Sequence, residues 1–481
     1  MYYKILLGYT IALFIALTGC TDDFEEINTN PNRPEEVSAD LLLSKVLSLA
    51  TNENALEGWN RGNIVAQHTA KINFTDFDRY LWENNTGYWN DLYGNLRDIK
   101  NILAIARSED NPNASYEAVA LVMQAWTYAE LTSLWGDIPY TEAIQGRAEE
   151  PILQPRYTPQ AEVFVGILDD LRTANDLLQP GGSAISGDLI FQGNLSQWKK
   201  FANSLRVRLL MRISGKQDVS AELQEIVTTQ PLMESNDDNA LMEYLSSQPN
   251  TWPVHTYRVG SFDEYRLSLT SEGILRGLDD PRMLRWFRPT DRTIGTENPV
   301  YAGMPNGLSE NNASTFNGGA QNVSRCSRIL YEEPNSVSAV LMQYAELQFL
   351  LAEAAQRGFI SGDAQTYYEE GIMNSFAYWE VPVPGGYLGQ VGVAFDNTVE
   401  TIINQKWIAL FLNGYEAYYD FRRTGFPTVI IPGPDNVNND QVPVRYLYPD
   451  EQQTLNTENY QAVLARQGED DINTEMWLLN N

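Results

Sequence analysis

Cysteine is nearly missing from this 481-residue chain, which carries only Cys20 and Cys326, and histidine is as scarce, with His68 and His255 alone. Two thiols give no disulfide framework, and if Cys20 is taken up at the amino end, Cys326 with the two histidines cannot fill the usual four-ligand zinc sets without carboxylates. A histidine-based catalytic triad would rest on one residue with no local signature. The chain has no G-x-S-x-G elbow, no phosphate-cradling glycine loop opening a helix and no H-E-x-x-H. Positive charge is also short: 33 Lys and Arg against 63 Asp and Glu leave a net charge of −30, a surface that repels phosphate backbones and excludes nucleic acid as a partner. A long apolar run is missing too, because the stretch from Ile5 to Leu17 is interrupted by Gly8, Tyr9 and Thr10 and falls short of the roughly 20 residues a bilayer span needs. Aromatics are the opposite case. With 43% hydrophobic residues, 11 Trp, 26 Tyr and 17 Phe, the chain has the stock of a large folded core, and several hundred residues bury enough surface to stand without cross-links.

The amino end reads as an export signal, with Lys4 as its positive region and a short apolar segment behind it. Leu17-Thr18-Gly19-Cys20 resembles the bacterial lipoprotein box, which implies a signal over 1–19 cut before Cys20 and an acyl anchor on that thiol. Residues 20–36, CTDDFEEINTNPNRPEE, are acidic, rich in Asn and Pro and without apolar period, as in a tether stiffened by Pro31 and Pro34. Ser38 to Asp40 then give a helix-start signature, and one folded domain is expected over 37–481.

Helical period dominates this domain. Residues 116–143 place Val119, Val122, Met123, Trp126 and Leu134 near one stripe stopped by Gly136 and Pro139. Residues 158–178 predict a helix capped by Thr158 with Pro159 first inside it and Val163, Ile167, Leu171 and Leu178 on its buried side. In 195–214, Trp198, Phe201, Leu205, Leu209 and Ile213 make the apolar face. Lys199, Lys200, Arg206, Arg208 and Arg212 look like a basic patch, but in so acidic a chain they are expected to pair with carboxylates. Residues 345–379 set Ala352, Ala364 and Gly371 around the bulky Tyr368, the small-large-small spacing of a tetratricopeptide helix pair. Helical repeats are thus expected over about 37–234 and 336–425, with a loop-rich ligand region over about 235–335, dense in Gly, Asn, Ser and Pro, and a C-terminal packing segment over 426–481.

Residues 71–85 ask for a ligand. Phe74, Phe77, Tyr80 and Trp82 alternate with Asp76, Asp78, Arg79, Glu83, Asn84 and Asn85 without helical or strand period. Sugars present apolar C–H faces and hydroxyl edges, so flat rings beside paired donors and acceptors suit them. The alternative is that the rings close over the core beneath a loop. From Trp89 through Tyr93, Leu96, Ile99 and Leu103 helical spacing returns.

Taken in order, Cys20-Thr21-Asp22-Asp23-Phe24, INTNPN (27–32), LWGDIPYTEA (134–143), WKKFANSLRVRLLMRI (198–213), IINQKWIALFLNGYEAYYDFRRTGFP (402–427) and RYLYPDEQ (445–452) resemble the SusD/RagB glycan-binding lipoproteins of the outer membrane in Bacteroidota. The resemblance implies an all-α fold of four tetratricopeptide-like pairs with irregular loops as the ligand face. It implies a non-catalytic protein that binds a glycan and sits as a lid on a TonB-dependent, SusC-like transporter; no cofactor and no metal-ligand set is expected from the residues, carboxylates alone apart. The anchor would be the lipidated Cys20, with the acids behind it directing export to the cell surface. It places ligand residues in the loop before the W-x-x-x-Y helix and outside the repeats: Phe74, Asp76, Arg79, Tyr80, Trp82 and Asn84, with Trp252, Tyr257, Arg258 and Tyr301. A peptide-capturing lid on the same scaffold and a secreted glycoside hydrolase are the alternatives; the latter needs two carboxylates facing across a cleft. In NGYEAYYDFRRTGFP, Glu416, Asp420 and Arg423 fall at ion-pair spacings and read as structural.

Overall fold

The computed structural model describes residues 37–110, 112–256 and 264–480. Cys20, the tether, Tyr257 and Arg258 lie outside the described residues. The first helix, α1 (Ala39–Glu57), widens into a turn at Gly58–Gly62. There the segment before residue 415 comes so near that a Cβ on Gly62 would lie 1.9 Å from the Gly414 carbonyl oxygen, which leaves room for glycine alone. Helices α2 (Thr86–Ala106), α3 (Ala114–Trp135), α4 (Gln160–Leu177) and α5 (Leu195–Ile213) then follow, each packed on the one before. α3 is the centre of this stack. It is buried around most of its circumference, as a helix with neighbours on nearly every side must be, and its ends are set by Asn113, whose side chain accepts from the Ser115 and Tyr116 N–H groups, and by Gly136 at φ 85°.

After α6 (Ser220–Thr229) the helical period fades into turns and the short helices α7 (Leu269–Gly277), α8 (Arg282–Trp286) and α9 (Glu310–Thr315), as the composition of this stretch predicts. The stack resumes with α10 (Tyr344–Gln356), α11 (Ala364–Tyr378), α12 (Val399–Ala409) and α13 (Glu416–Thr424), and α14 (Asp450–Leu455) and α15 (Thr457–Gln467) close the chain. The sheets among the described residues are three two-stranded antiparallel ribbons. They pair β1 (Thr69–Lys71) with β5 (Tyr265–Leu267), β2 (Ile138–Pro139) with β3 (Tyr157–Thr158), and β4 (Ala240–Met242) with β6 (Ala339–Met342). The fold is all-α, a helical-repeat scaffold with long irregular connections.

The tetratricopeptide spacing marks a real pair. α10 packs on α11 with Ala352 and Tyr368 fully buried, and a Cβ on Gly371 would fall 2.9 Å from ring carbons of Phe349, so the small residue is what lets the helices close. Thr158 departs from expectation. It is not a cap but a strand residue opposite Ile138, with its hydroxyl 3.3 Å from that of Thr141. The helix starts at Gln160, and its N–H is met by Asp137 Oδ1 at 2.7 Å, a cap supplied from before the intervening loop.

Four of the five basic residues of α5, Lys200, Arg206, Arg208 and Arg212, pair with carboxylates. Lys200 bridges Glu234 and Asp238, Arg206 reaches Glu222, Arg208 meets Glu346 with Nε–Oε1 at 2.6 Å, and Arg212 holds Glu416. Glu416, Asp420 and Arg423 pair mostly across elements: Asp420 with Lys406 at 2.6 Å and Arg423 with Glu353 at 2.6 Å, besides the local Arg423–Asp420 contact. This buried network ties α5, α10, α12 and α13 into one body.

Candidate functional site

β1 delivers the chain from the helical stack to its irregular face. Lys71 closes the strand, donating its N–H to Asp78 Oδ2 at 3.0 Å, and its ammonium lies 4.5 Å from the centroid of the Tyr265 ring. The loop then bends through Phe74 and Tyr80, both at positive φ, 52° and 67°. Asp78 pins it from beneath: besides the Lys71 N–H it accepts Asn306 Nδ2 at 2.7 Å, and its burial pushes its pKa up to about 6. Two further segments lock on above. Arg79 donates to the Asp435 carbonyl at 3.0 Å and accepts the Val437 N–H at 2.9 Å. Asp435 Oδ2 in turn accepts from the Ser309 N–H, the Ser309 hydroxyl and Asn312 Nδ2 at 2.8, 2.9 and 2.6 Å, hydrogen bonds that hold its carboxyl below the usual carboxylate range. Residues 72–81, 305–312 and 433–437 thereby form one knitted rim.

On this rim the sequence-derived residues part company. Phe74 is 69% exposed, and its backbone N–H is held by Glu310 Oε1 at 2.7 Å, so an apolar ring stands in solvent on a fixed stem. Among the described residues it is the one exposed aromatic side chain. Asp76 is exposed beside it, 3.9 Å from the Arg79 guanidinium. Asn84 donates to Asp450 Oδ1 at 2.9 Å, on the side where α14 begins.

Trp82, Tyr80 and Trp252 are core residues instead. Trp82 is 6% exposed and lies between Phe77 and Tyr446, stacked on each at 4.8 Å, with its indole N–H given to the Phe77 carbonyl. With both ring faces occupied, it has none for a sugar. Tyr80 is buried in the same cluster, and that burial pushes its hydroxyl pKa up. Trp252 is 1% exposed and donates to the Leu330 carbonyl at 2.8 Å. Tyr301 is half-buried at the edge of that second core. The stretch 305–312 and the turn 429–437 were missed as partners of the loop. Their visible signal is the run of Gly, Pro and Asn in MPNG and IPGPDN. It reflects a close crossing of two backbones, since a Cβ on Gly433 would lie 1.8 Å from the Asn306 carbonyl oxygen.

Beside the rim runs a cleft of about 450 Å³ bounded by α7, residues 305–306 and residues 429–434. Among the described residues no group of three or more His, Cys, Asp or Glu is arranged to hold a metal ion, and no helix is long and apolar enough to cross a membrane.

A family model, SusD-like and described as starch-binding associating with outer membrane, matches residues 31–449. The chain belongs to the SusD-like family. Among solved structures, two SusD homologs from Bacteroides fragilis superpose on this SusD-like protein. One is 26% identical with a TM-score of 0.81, over 92% of this chain and 100% of its own. The other is 28% identical with a TM-score of 0.76, over 93% of this chain and 100% of its own. A chitin-binding protein is 26% identical with a TM-score of 0.81, over 92% of this chain and 100% of its own. No curated protein matches the chain. Membership makes the SusD-like protein an outer-membrane-associated nutrient-binding protein and not an enzyme.

Proposed function

We propose that this SusD-like protein is held at the outer face of the outer membrane by a lipidated Cys20, through the tether 20–36, and that it binds oligo- or polysaccharide on the rim around Phe74 and passes it to a TonB-dependent, SusC-like transporter. The observation that carries the ligand reading is the exposed Phe74 ring among the polar groups of Asp76, Arg79 and Glu310. A ring free on one side offers a sugar's C–H face a platform, while carboxylates and a guanidinium take its hydroxyls in pairs. Family membership over residues 31–449, a starch-binding family description and a chitin-binding relative support carbohydrate as the ligand class. Asn84, which is tied to Asp450, and Tyr301, at the edge of the second core, are proposed as further contacts.

The test is retention on a panel of immobilised polysaccharides and oligopeptides, with wild type and Phe74→Ala side by side. Wild type is expected to be retained by at least one polysaccharide without releasing products, and Phe74→Ala to lose about tenfold in affinity at unchanged melting temperature, the scale of one stacking contact. Retention by peptides alone, or affinity indifferent to Phe74, counts against this reading.

A further inference from the structure

A groove of about 1180 Å³ runs between the amino end of α1 and the carboxyl end of α2. The two helices are antiparallel: Asn85 donates to Glu57, Asn95 to the Val46 carbonyl, and Lys45 bridges Asp98 at 2.6 Å. Apolar side chains stay open along it, with Val37, Leu41 and Ile105 46, 57 and 38% exposed. One end is positive. Lys45 and Arg97, each 57% exposed, share the single carboxylate of Asp98, Arg97 at 3.5 Å. In a chain where 63 acids face 33 bases, two exposed cations on one nearly buried acid are a local surplus of positive charge. The lining's remaining charge, Asp110, follows α2 and so lies toward Val37, at the other end. This surface matches the segment that leads into it. The tether 20–36 joins the body at Val37, which is itself part of the wall. Its only large apolar side chains are Phe24 and Ile27, set among Asp22, Asp23, Glu25 and Glu26. From Val37 to Lys45 the groove is about 12 Å long, and residues 28–36 reach up to about 30 Å when extended, so Ile27 can return to any point of it.

We propose that this groove seats residues 22–27 of its own chain, with Phe24 and Ile27 against Leu41 and Ile105 and the surrounding acids toward Lys45 and Arg97. Burying the two apolar side chains supplies the attraction, and the charges fix which end receives which residues. A link this short closes at an effective concentration of about millimolar, so a contact too weak to join separate molecules is filled within one. A second copy brings its own net charge of −30 and is repelled. A flat lipid surface meets the exposed cations and leaves the groove unfilled. The docking stands on the groove and the charge pattern alone. Joined to the lipid-anchor reading, on which this consequence rests, it sets the orientation of the body. α2 runs about 30 Å from Thr86, next to the rim, to Ala106 at the groove, so Cys20 and the glycan rim are held at opposite ends of one helix.

The scarcity of thiols makes the test clean, because Cys326 is fully buried and cannot compete. Disulfide trapping would compare two double variants of the full-length protein, extracted in detergent and mildly oxidised. Ile27→Cys is combined with Leu41→Cys in the groove, or with Ala184→Cys, an exposed site on another flank of α1 near Gly187, whose carbonyl accepts the Ser44 hydroxyl. Both sites are exposed, so the fold is spared. The groove pair is expected to close within the chain about tenfold faster than the flank pair. Adding Phe24→Asp or Lys45→Glu is expected to remove that advantage. Equal rates for the two pairs, or an advantage indifferent to Phe24 and Lys45, overturns the docking. So do bonds that form between molecules, which would give the groove to a second copy, and an advantage lost on transfer into phospholipid vesicles, which would give it to the membrane. In the single variant Leu41→Cys, a bond to Cys20 would support the docking while showing a free thiol there, which strikes at the lipid anchor. The two failures are therefore distinguishable.

Discussion

Phe74 and Trp82 stand in one aperiodic stretch with similar polar neighbours, and the structure gives them opposite surroundings, one ring in solvent and the other in the core. Where a segment has helical or strand period, the period itself says which side chains face inward. Residues 71–85 have none, so the choice is made by partners far along the chain: Tyr446 and Tyr418 close on the Trp82 ring, while Glu310 grips the backbone of Phe74 and leaves its ring outside. That is why the segment could be marked as a candidate site from its residues while the ring that stands outside could not be told from those that close inward. The consequence is measurable. Trp82→Ala removes a ring stacked on two faces and leaves a cavity, and the expected loss is about 3–5 kcal/mol of stability. Chemical denaturation should show it as a lowered midpoint, while the folded fraction keeps the glycan affinity of wild type. A Trp82→Ala protein as stable as wild type but weaker in binding would return Trp82 to the ligand surface.

The elements were largely legible because helix stripes are local. The stripe of α5, the small-large-small spacing of α10 and α11 and the stop at Gly425, which takes φ 76°, can all be found without knowing the neighbours. The start of α4 was not, since its cap is Asp137, and proximity to Asp137 is a property of the β2–β3 pairing. The partners of the basic residues on α5 were legible only in kind. Arg208 illustrates what the pairing does for the stack. It is buried between Glu346, which has no exposed side-chain surface, and Glu416, 3.6 Å away and held also by Arg212, so Glu346 depends on its charge for a partner. Arg208→Met strands Glu346 and leaves Glu416 to Arg212, and the expected cost at neutral pH is about 3–5 kcal/mol. Burial already pushes the Glu346 carboxyl up, and without the guanidinium it protonates more readily still. The deficit relative to wild type should therefore shrink as the pH falls toward 5. Urea midpoints of both proteins at several pH values check this; a deficit that stays constant or grows on acidification contradicts it.

At the scale of the whole molecule, the acidity read from composition and the burial of particular acids act in the same direction. Burial pushes Glu53 and Glu130 up to about 7 and Asp78 and Asp170 up to about 6, so between the ordinary carboxylate range and neutrality the folded chain holds protons that the unfolded chain has released. Stability must then fall as the pH rises through that window. His68 opposes this. Buried, with its Nε2 2.9 Å from the Trp407 carbonyl, it is lowered to about 3, so the unfolded chain takes up a proton below about 6.5 that the folded chain refuses. Four acids outweigh one imidazole, so stability rises as the pH falls until the window is left on the acid side, where carboxyls held low, such as Asp420 at about 2, reverse the slope. The melting temperature is therefore expected to be higher at pH 5 than at pH 8. Repulsion within a net charge of −30 would produce the same trend, but salt screens surface charge and leaves buried groups largely unscreened. Melting curves across this range at low and high ionic strength separate the two. A difference that persists in high salt belongs to the buried acids; one that vanishes belongs to the surface, and a melting temperature that rises toward pH 8 would mean these carboxyls are ionised inside the fold.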